Sequence, residues 1–305
     1  MSALTYATAQ LLRVVPRERV TRVMGRLADH AWSPPLGRAV VALYSRVYDV
    51  ALGECDETSW GSFDSFFTRE LRDGARPVDK DPLAIVSPAD GRIDSMGPIE
   101  AGATFLVKGR RYQASELVGD AEEAERYTGG HSAVIYLSPR DYHRVHSPVA
   151  GTIRHIRSMR GDYYPVNNIG VRHVKNLFAR NRRVAIAIDT PTLGRVTVVM
   201  VAAIVVGRIT VTGIDARDVP YGYHELEPRI PVDRGDEIGI FHLGSTAVLF
   251  FEKSAGLRWS LADGAVQVGA RIASAAPGRP AAASPGAGDH AAASPPTSPS
   301  SGEGG

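Results

Sequence analysis

Apolar residues recur at intervals of three and four over Leu36, Val40, Leu43, Tyr44, Val47 and Ala51, which predicts a helix with one apolar face and with Arg38 and Arg46 elsewhere. A second basic helix is predicted over residues 17–32, started by Pro16. Phe63, Phe66, Phe67 and Leu71 keep the same spacing and predict a short helix facing the core. From about Leu83 onward the period changes: short runs rich in β-branched residues, separated by Gly, Pro and Asp, predict strands over 132–137, 184–188, 196–206, 238–241 and 247–251. The expected fold is therefore α+β and β-rich, with N-terminal amphipathic helices preceding a β domain.

One internal echo stands out. Ser87-Pro-Ala-Asp-Gly-Arg-Ile93 and Ser147-Pro-Val-Ala-Gly-Thr-Ile153 share S-P-x-x-G-x-I. Proline presets φ on entry to a turn and glycine supplies a conformation other residues resist, so each copy reads as a turn leading into a strand. Asp90, present in only one copy, is not explained by the turn.

Composition narrows the class. Of the 305 residues, 44% are hydrophobic and 22% charged, which suits a globular chain with a sizeable core. From about Ser274 the sequence turns to Ala, Pro, Ser and Gly without an aromatic residue; such a segment buries too little apolar surface to offset ordering, so 274–305 is expected to be disordered. A single cysteine, Cys55, can form neither an internal disulfide nor a CxxC metal site. The formal charge is only +2, which gives no electrostatic case for nucleic acid. Residues 1–50 nevertheless hold seven arginines against three acids, and basic amphipathic helices with Trp32, Tyr44 and Tyr48 suit an anionic membrane surface as well as packing on the chain's own core. No apolar run approaches the roughly 20 residues of a membrane span, and no secretory signal is expected at the N-terminus.

Phosphate-loop, GxGxxG, HExxH and GxSxG motifs are absent, which weighs against NTPases, dehydrogenases and α/β-hydrolases. What remains is the histidine pair of Tyr142-His143-Arg-Val-His146-Ser-Pro148. Ser138 as a cap, Pro139 at the first helical position and Pro148 as a stop predict a short helical turn that puts both imidazoles on one face. Two histidines are too few for a metal site, so the choice lies between a hydrogen-bonded structural pair and acid–base work. The Gly244-Ser245 junction between two β-type runs is weak alone. With Asp90 and His146 it completes a carboxylate, an imidazole and a hydroxyl.

Taken in order, Phe66-Phe-x-Arg-x-Leu71, Ser87-Pro-Ala-Asp90-Gly91, Tyr142-His143-Arg-Val-His146-Ser-Pro148, Asn176-Leu-Phe-Ala-Arg-Asn181 and Leu243-Gly-Ser-Thr246 closely resemble phosphatidylserine decarboxylase, in particular its bacterial membrane-associated type. The resemblance runs from about residue 60 to 255. It implies a barrel- or sandwich-like β domain of lipoyl-type (swivelling hybrid) units over 61–273, behind a membrane-associating helical region over 1–60. It also implies a chain that makes its own pyruvoyl cofactor, without a metal. Asp90, His146 and Ser245 would form an autoprocessing triad, with Asp90 orienting His146 and His146 deprotonating Ser245, whose oxygen attacks the Gly244 carbonyl. Cleavage between Gly244 and Ser245 would leave a β chain of 1–244 and an α chain of 245–305 that stay associated. The pyruvoyl group formed from Ser245 would join the amine of phosphatidylserine as a Schiff base and serve as electron sink, His143 would donate the proton, and phosphatidylethanolamine and carbon dioxide would leave. A homodimer on the cytoplasmic side of the cell membrane is implied too, with Arg17, Arg22 and Arg26 facing anionic lipid. Two other readings use the same residues: a serine hydrolase built on Asp90, His146 and Ser245, and a β-rich binding module without chemistry.

Overall fold

The computed structural model describes residues 16–166, 168–204 and 208–276. Most of the expected disordered tail and the last part of the 196–206 strand lie outside the described residues. Helices α1 (Arg17–Asp29), α2 (Pro34–Tyr48) and α3 (Phe63–Phe67) come first. They are followed by β1 (Ala84–Val86), β2 (Gly91–Pro98), β3 (Thr104–Val107), β4 (Arg110–Gln113), α4 (Ala114–Val118), α5 (Ala121–Glu125), β5 (His131–Leu137), β6 (Arg144–His146) and β7 (Gly151–Met159). Then come α6 (Asn168–His173), α7 (Leu177–Arg180), β8 (Arg183–Thr190), β9 (Gly194–Ala202), β10 (Arg208–Val211), β11 (Gly222–Val232), β12 (Glu237–His242), β13 (Ser245–Phe251), β14 (Arg258–Trp259), β15 (Gly264–Val266) and β16 (Arg271–Ser274). The fold is β-rich α+β.

Eight strands form one antiparallel sheet in the order β11-β7-β8-β9-β13-β5-β2-β15. The sheet is open, with β11 and β15 at its edges, which corrects the barrel-like expectation. Its centre is β13, buried along its whole length because Ala247, Val248, Leu249, Phe250 and Phe251 are apolar toward both faces. Two three-stranded sheets, β1-β16-β14 and β10-β12-β6, pack alongside.

The repeated turn has a structural meaning that the sequence echo only hinted at. Ser87 Oγ donates to the Ala89 carbonyl at 2.7 Å and Ser147 Oγ to the Val149 carbonyl at 2.6 Å. The turns also bond each other reciprocally, Val86 N–H to the Pro148 carbonyl and His146 N–H to the Pro88 carbonyl. A second pair of loops completes the symmetry: Ser87 N–H donates to Ala270 and receives Gly269, while Ser147 N–H donates to Asp236 and receives Gly235. These loops carry a further echo, Val232-x-x-Gly235-x-x-Ile238 and Val266-x-x-Gly269-x-x-Ile272. The chain thus holds two similar units about a local two-fold axis. Asp90 stands where the other unit has Ala150.

Helix α3 is capped by Ser62 and Ser65, each side chain taking the other's backbone N–H, and it buries Phe66 and Phe67. It ends at Phe67, so Leu71 lies beyond it. The apolar face predicted for α2 is mostly turned outward: Leu43 is 67% and Val47 65% exposed, while Val41 makes the buried contact instead. On α1, Leu27 is 61% exposed. Arg17 is engaged by the fold, bonded to Asp162 at 2.6 and 2.8 Å and stacked on Tyr164.

The loop contacts give a stability contrast. At Gly269, φ is +81° and a Cβ would lie 2.7 Å from the Pro77 carbonyl oxygen, whereas at Gly74 φ is +78° with open space around it. Gly269→Ala is expected to cost roughly 2–3 kcal/mol and Gly74→Ala roughly 1 kcal/mol, measured by urea unfolding.

Candidate active site

The junction between β12 and β13 is where local geometry is least ordinary. Leu243 takes φ +88°, a left-handed conformation that costs a branched side chain on the order of 1–3 kcal/mol and persists only when its surroundings enforce it. Directly after it comes Gly244. Ser245 opens β13, paired with Leu137 of β5 on one side and Ala202 of β9 on the other. Its hydroxyl is buried and has no hydrogen-bond partner, an arrangement that costs on the order of 1–3 kcal/mol.

His143 shares this place. It is fully buried, its ring lies against Phe67 with centroids 4.0 Å apart, and its Nδ1–H donates to the Asp141 carbonyl at 2.7 Å. That bond leaves Nε2 as the free lone pair, buried and unpartnered, 3.9 Å from where a Cβ on Gly244 would sit. Burial holds the imidazole's pKa down at about 3, so the ring is neutral at physiological pH.

His146 stands apart from Ser245 in its bonding. Its Nδ1–H donates to the Gly235 carbonyl at 2.7 Å, and its Nε2 faces the Tyr142 hydroxyl at 3.3 Å, with the two rings stacked. Burial lowers its pKa, opposed by the Gly235 carbonyl and by the negative charges of Glu237 and Asp90. Asp90 therefore acts on His146 through charge. Its own hydrogen bonds come from Arg76, at 2.6–3.0 Å, and from Val268 N–H at 2.8 Å. Arg76 is in turn bonded to Glu54. The structure thus brings Gly244, Ser245 and His143 together, and ties Asp90 to His146 through the reciprocal turns and their electrostatics.

The helical turn predicted for the histidines is not formed. Ser138 and Asp141 close a tight turn on each other, with Ser138 N–H and Oγ both bonded to Asp141 Oδ2, after which Arg144, Val145 and His146 join β12 as strand β6. His143 and His146 consequently present to different surroundings instead of sharing a helix face.

An apolar cavity of about 640 Å³ opens onto Gly244 and Ser245. Tyr44, Phe63 and Phe67 line it, together with Leu137 and Val166, and the exposed Leu27 stands at α1's contribution to the wall. Asn181, the last residue of its motif, is fully buried and keeps the Tyr163–Val166 segment in place: it accepts from Tyr164 N–H and donates to the carbonyls of Tyr164 and Ala202. Arg76 and Tyr142 are contributors that sequence reading did not assign. Tyr142 lay inside the quoted motif, whereas nothing in the local pattern pointed to Arg76.

A buried, unpartnered serine behind a left-handed leucine, a neutral histidine facing the same junction and an adjoining apolar cavity make up the candidate site. The comparisons give the family. Residues 63–274 match the family model of phosphatidylserine decarboxylase. A phosphatidylserine decarboxylase proenzyme of Acinetobacter baumannii (strain ATCC 17978) is 40% identical over 244 residues, covering 79% of this chain and 85% of the relative. The proenzyme of Bordetella pertussis (strain Tohama I) is 41% identical over 258 residues, covering 81% and 86%. The chain belongs to the phosphatidylserine decarboxylase family.

The buried histidine makes stability depend on pH. With its folded pKa near 3 and an unfolded value of about 6.5, His143 binds its proton only in the unfolded chain over that interval, so stability falls as pH drops below about 6.5. With both carried in a Ser245→Ala background, the chain that keeps His143 is expected to lose about 1 kcal/mol more from pH 7.5 to 5.5 than the one with His143→Asn, measured by urea titration at the two pH values.

Proposed function

We propose that this chain is a self-processing carboxy-lyase that converts phosphatidylserine to phosphatidylethanolamine and carbon dioxide. The observation that carries the reading is the Ser245 hydroxyl, buried without a partner directly behind the strained Leu243-Gly244 joint. In maturation, Ser245 Oγ attacks the Gly244 carbonyl carbon, the peptide C–N bond breaks and an ester takes its place. Loss of the Ser245 α-proton expels the Gly244 carboxylate. Water then replaces the nitrogen, which leaves as ammonia, and a ketone remains at the head of residues 245–305.

In this reading Asp90, His146 and Ser245 carry chain cleavage, with Asp90's charge supporting a proton on His146. His143 delivers the proton to the substrate carbon. The residues around Ser245 fit a pyruvoyl group: Ser245 is buried, His143 Nε2 faces the junction, and the cavity has room for apolar chains beside it. Once formed, that group supplies an electron sink for decarboxylation of an amine-bearing substrate. A second assignment of the bases has its own support, since His143 Nε2 is the imidazole nitrogen beside Gly244 and suits the proton of Ser245 as well.

The outward apolar residues of α1 and α2 support the membrane reading of residues 1–60. Leu27, Leu43 and Val47 with Arg22, Arg26 and Arg46 form a basic amphipathic surface next to the cavity, suited to docking peripherally on anionic lipid at the cytoplasmic face of the cell membrane. Among the described residues no helix is long and apolar enough to cross a membrane. The two symmetric units within 61–273 read as lipoyl-type units, and the processed assembly as a homodimer of associated α and β chains.

Intact mass on wild type, Ser245→Ala, His146→Ala and His143→Ala, with carbon dioxide release from phosphatidylserine micelles, tests the chemistry. Wild type is expected to break into 1–244 and 245–305, Ser245→Ala and His146→Ala to stay whole, and His143→Ala to break without turnover. If His143→Ala stays whole while His146→Ala breaks, the two imidazoles exchange roles. An uncut wild-type chain sinks the reading. For the docking surface, Leu27→Asp with Leu43→Asp is expected to abolish cosedimentation with phosphatidylglycerol vesicles; undiminished binding would count against it.

A further inference from the structure

On the far side of Leu243 from Ser245 sits a charged cluster that the reaction above does not use. His242 closes β12, and in register with it Arg208 opens β10. The His242 Nδ1–H points at the Asp64 carboxylate, 2.9 and 3.0 Å from its two oxygens, and Nε2 lies 3.2 Å from Thr210 Oγ1. Arg208 binds the same carboxylate at 2.6 Å and reaches Asp29 at 2.7 Å, where Arg217 joins from the 212–221 connection between β10 and β11. Asp64 comes from α3 and Asp29 from the last turn of α1. All of these groups are separated from one another by long stretches of chain, yet they meet within two residues of the Gly244-Ser245 bond.

A left-handed leucine does not hold itself. Chain on both sides of it must be fixed, or φ relaxes and the next carbonyl turns away. On the downstream side, Ser245 is fixed by ladder bonds to β5 and β9. On the upstream side the β12 ladder reaches His242 and ends there, so the last clamp before the joint is the His242 side chain, fixed between Asp64 and Thr210, with Arg208 bound to the same carboxylate. The pairs are partly buried, the carboxylate of Asp64 at 15% and the guanidinium of Arg208 at 16% side-chain exposure, so they are screened less by solvent than surface pairs.

We propose that Asp64, Arg208 and His242 are positioning residues for chain cleavage: the cluster holds the Leu243 kink that keeps the Gly244 carbonyl in front of Ser245. Through Asp29 the same cluster makes the joint depend on α1 having docked, so cleavage follows completion of the N-terminal helices. The inference rests on the self-processing reading.

The test is the rate at which freshly synthesised full-length chain is converted to its two pieces, followed by intact mass. Asp64→Ala and His242→Leu are expected to slow conversion by about tenfold or more, the factor that corresponds to losing on the order of 1.4 kcal/mol of enforced geometry. His242→Asn keeps an N–H donor at the Nδ1 position and is expected to restore conversion to near the wild-type rate. Asp79→Asn weakens the more exposed Asp79–Arg271 pair, which shares no residue with the cluster, and serves as the control for stability loss, with conversion expected at the wild-type rate. If Asp64→Ala does not fold, the two His242 variants decide alone. Conversion of His242→Leu at the wild-type rate overturns the proposal, and so does slowing that Asp79→Asn reproduces at equal thermal midpoint. A wild-type chain that never converts removes the self-processing reading itself, which is a different result.

Discussion

The hydrogen-bond ladder that holds β13 between β5 and β9 is the constraint on which the rest of the molecule depends. Seven residues, from Ser245 to Phe251, pair on both sides at once. A strand so enclosed has no freedom to shift register, because a slip of one residue would turn each side chain to the opposite face. Ser245 therefore enters the core at a fixed place, and the strain of the turn before it has nowhere to dissipate. The burial of Ser245 follows from the same enclosure, since β5 and β9 cover it on both sides.

The two-fold relation between the units supplies the other half of the arrangement. Each unit needs its turn for architecture: the serines close the loops, the prolines enter them, and the reciprocal backbone bonds join the pair. Only one copy carries a carboxylate. Asp90 could therefore be added to an already stable turn, with Arg76 and Val268 N–H satisfying it, while its charge falls on His146 in the other copy.

Much of this was legible in the chain. Helical spacing located α2 and α3, the basic segment opened by Pro16 located α1, β-branched runs located β5, β8, β9, β12 and β13 but not β11, the longest strand, and the S-P-x-x-G echo pointed to two related units. The echo of Val232-x-x-Gly235-x-x-Ile238 at Val266 carries the same information but too few fixed residues to stand out as a pattern. The histidine segment misled because Ser138 and Pro139 carry helix-start signals, yet here Ser138 spends its hydroxyl on Asp141 and Val145 is drawn into the ladder with Gly239. Which face of α2 is buried was not decidable from periodicity, since an apolar stripe looks the same whether core or lipid covers it. Arg76, Asp64 and Arg208 could not be found by pattern at all: their partners are set by tertiary placement, across 144 residues in the case of Arg208 and Asp64.

The central position of β13 has a consequence for the molecule's life after processing. A break ahead of Ser245 would put the middle strand of the eight-stranded sheet on a separate polypeptide, together with β14, β15 and β16, while both of its neighbours, β5 and β9, remain on the other. Within the folded state nothing need move. Once unfolded, however, the pieces would have to find each other in solution, so that reassembly becomes a second-order process whose success falls with dilution. The protein would then owe its persistence to the slowness of unfolding, and its folding would be an event that each chain can complete only while it is still whole.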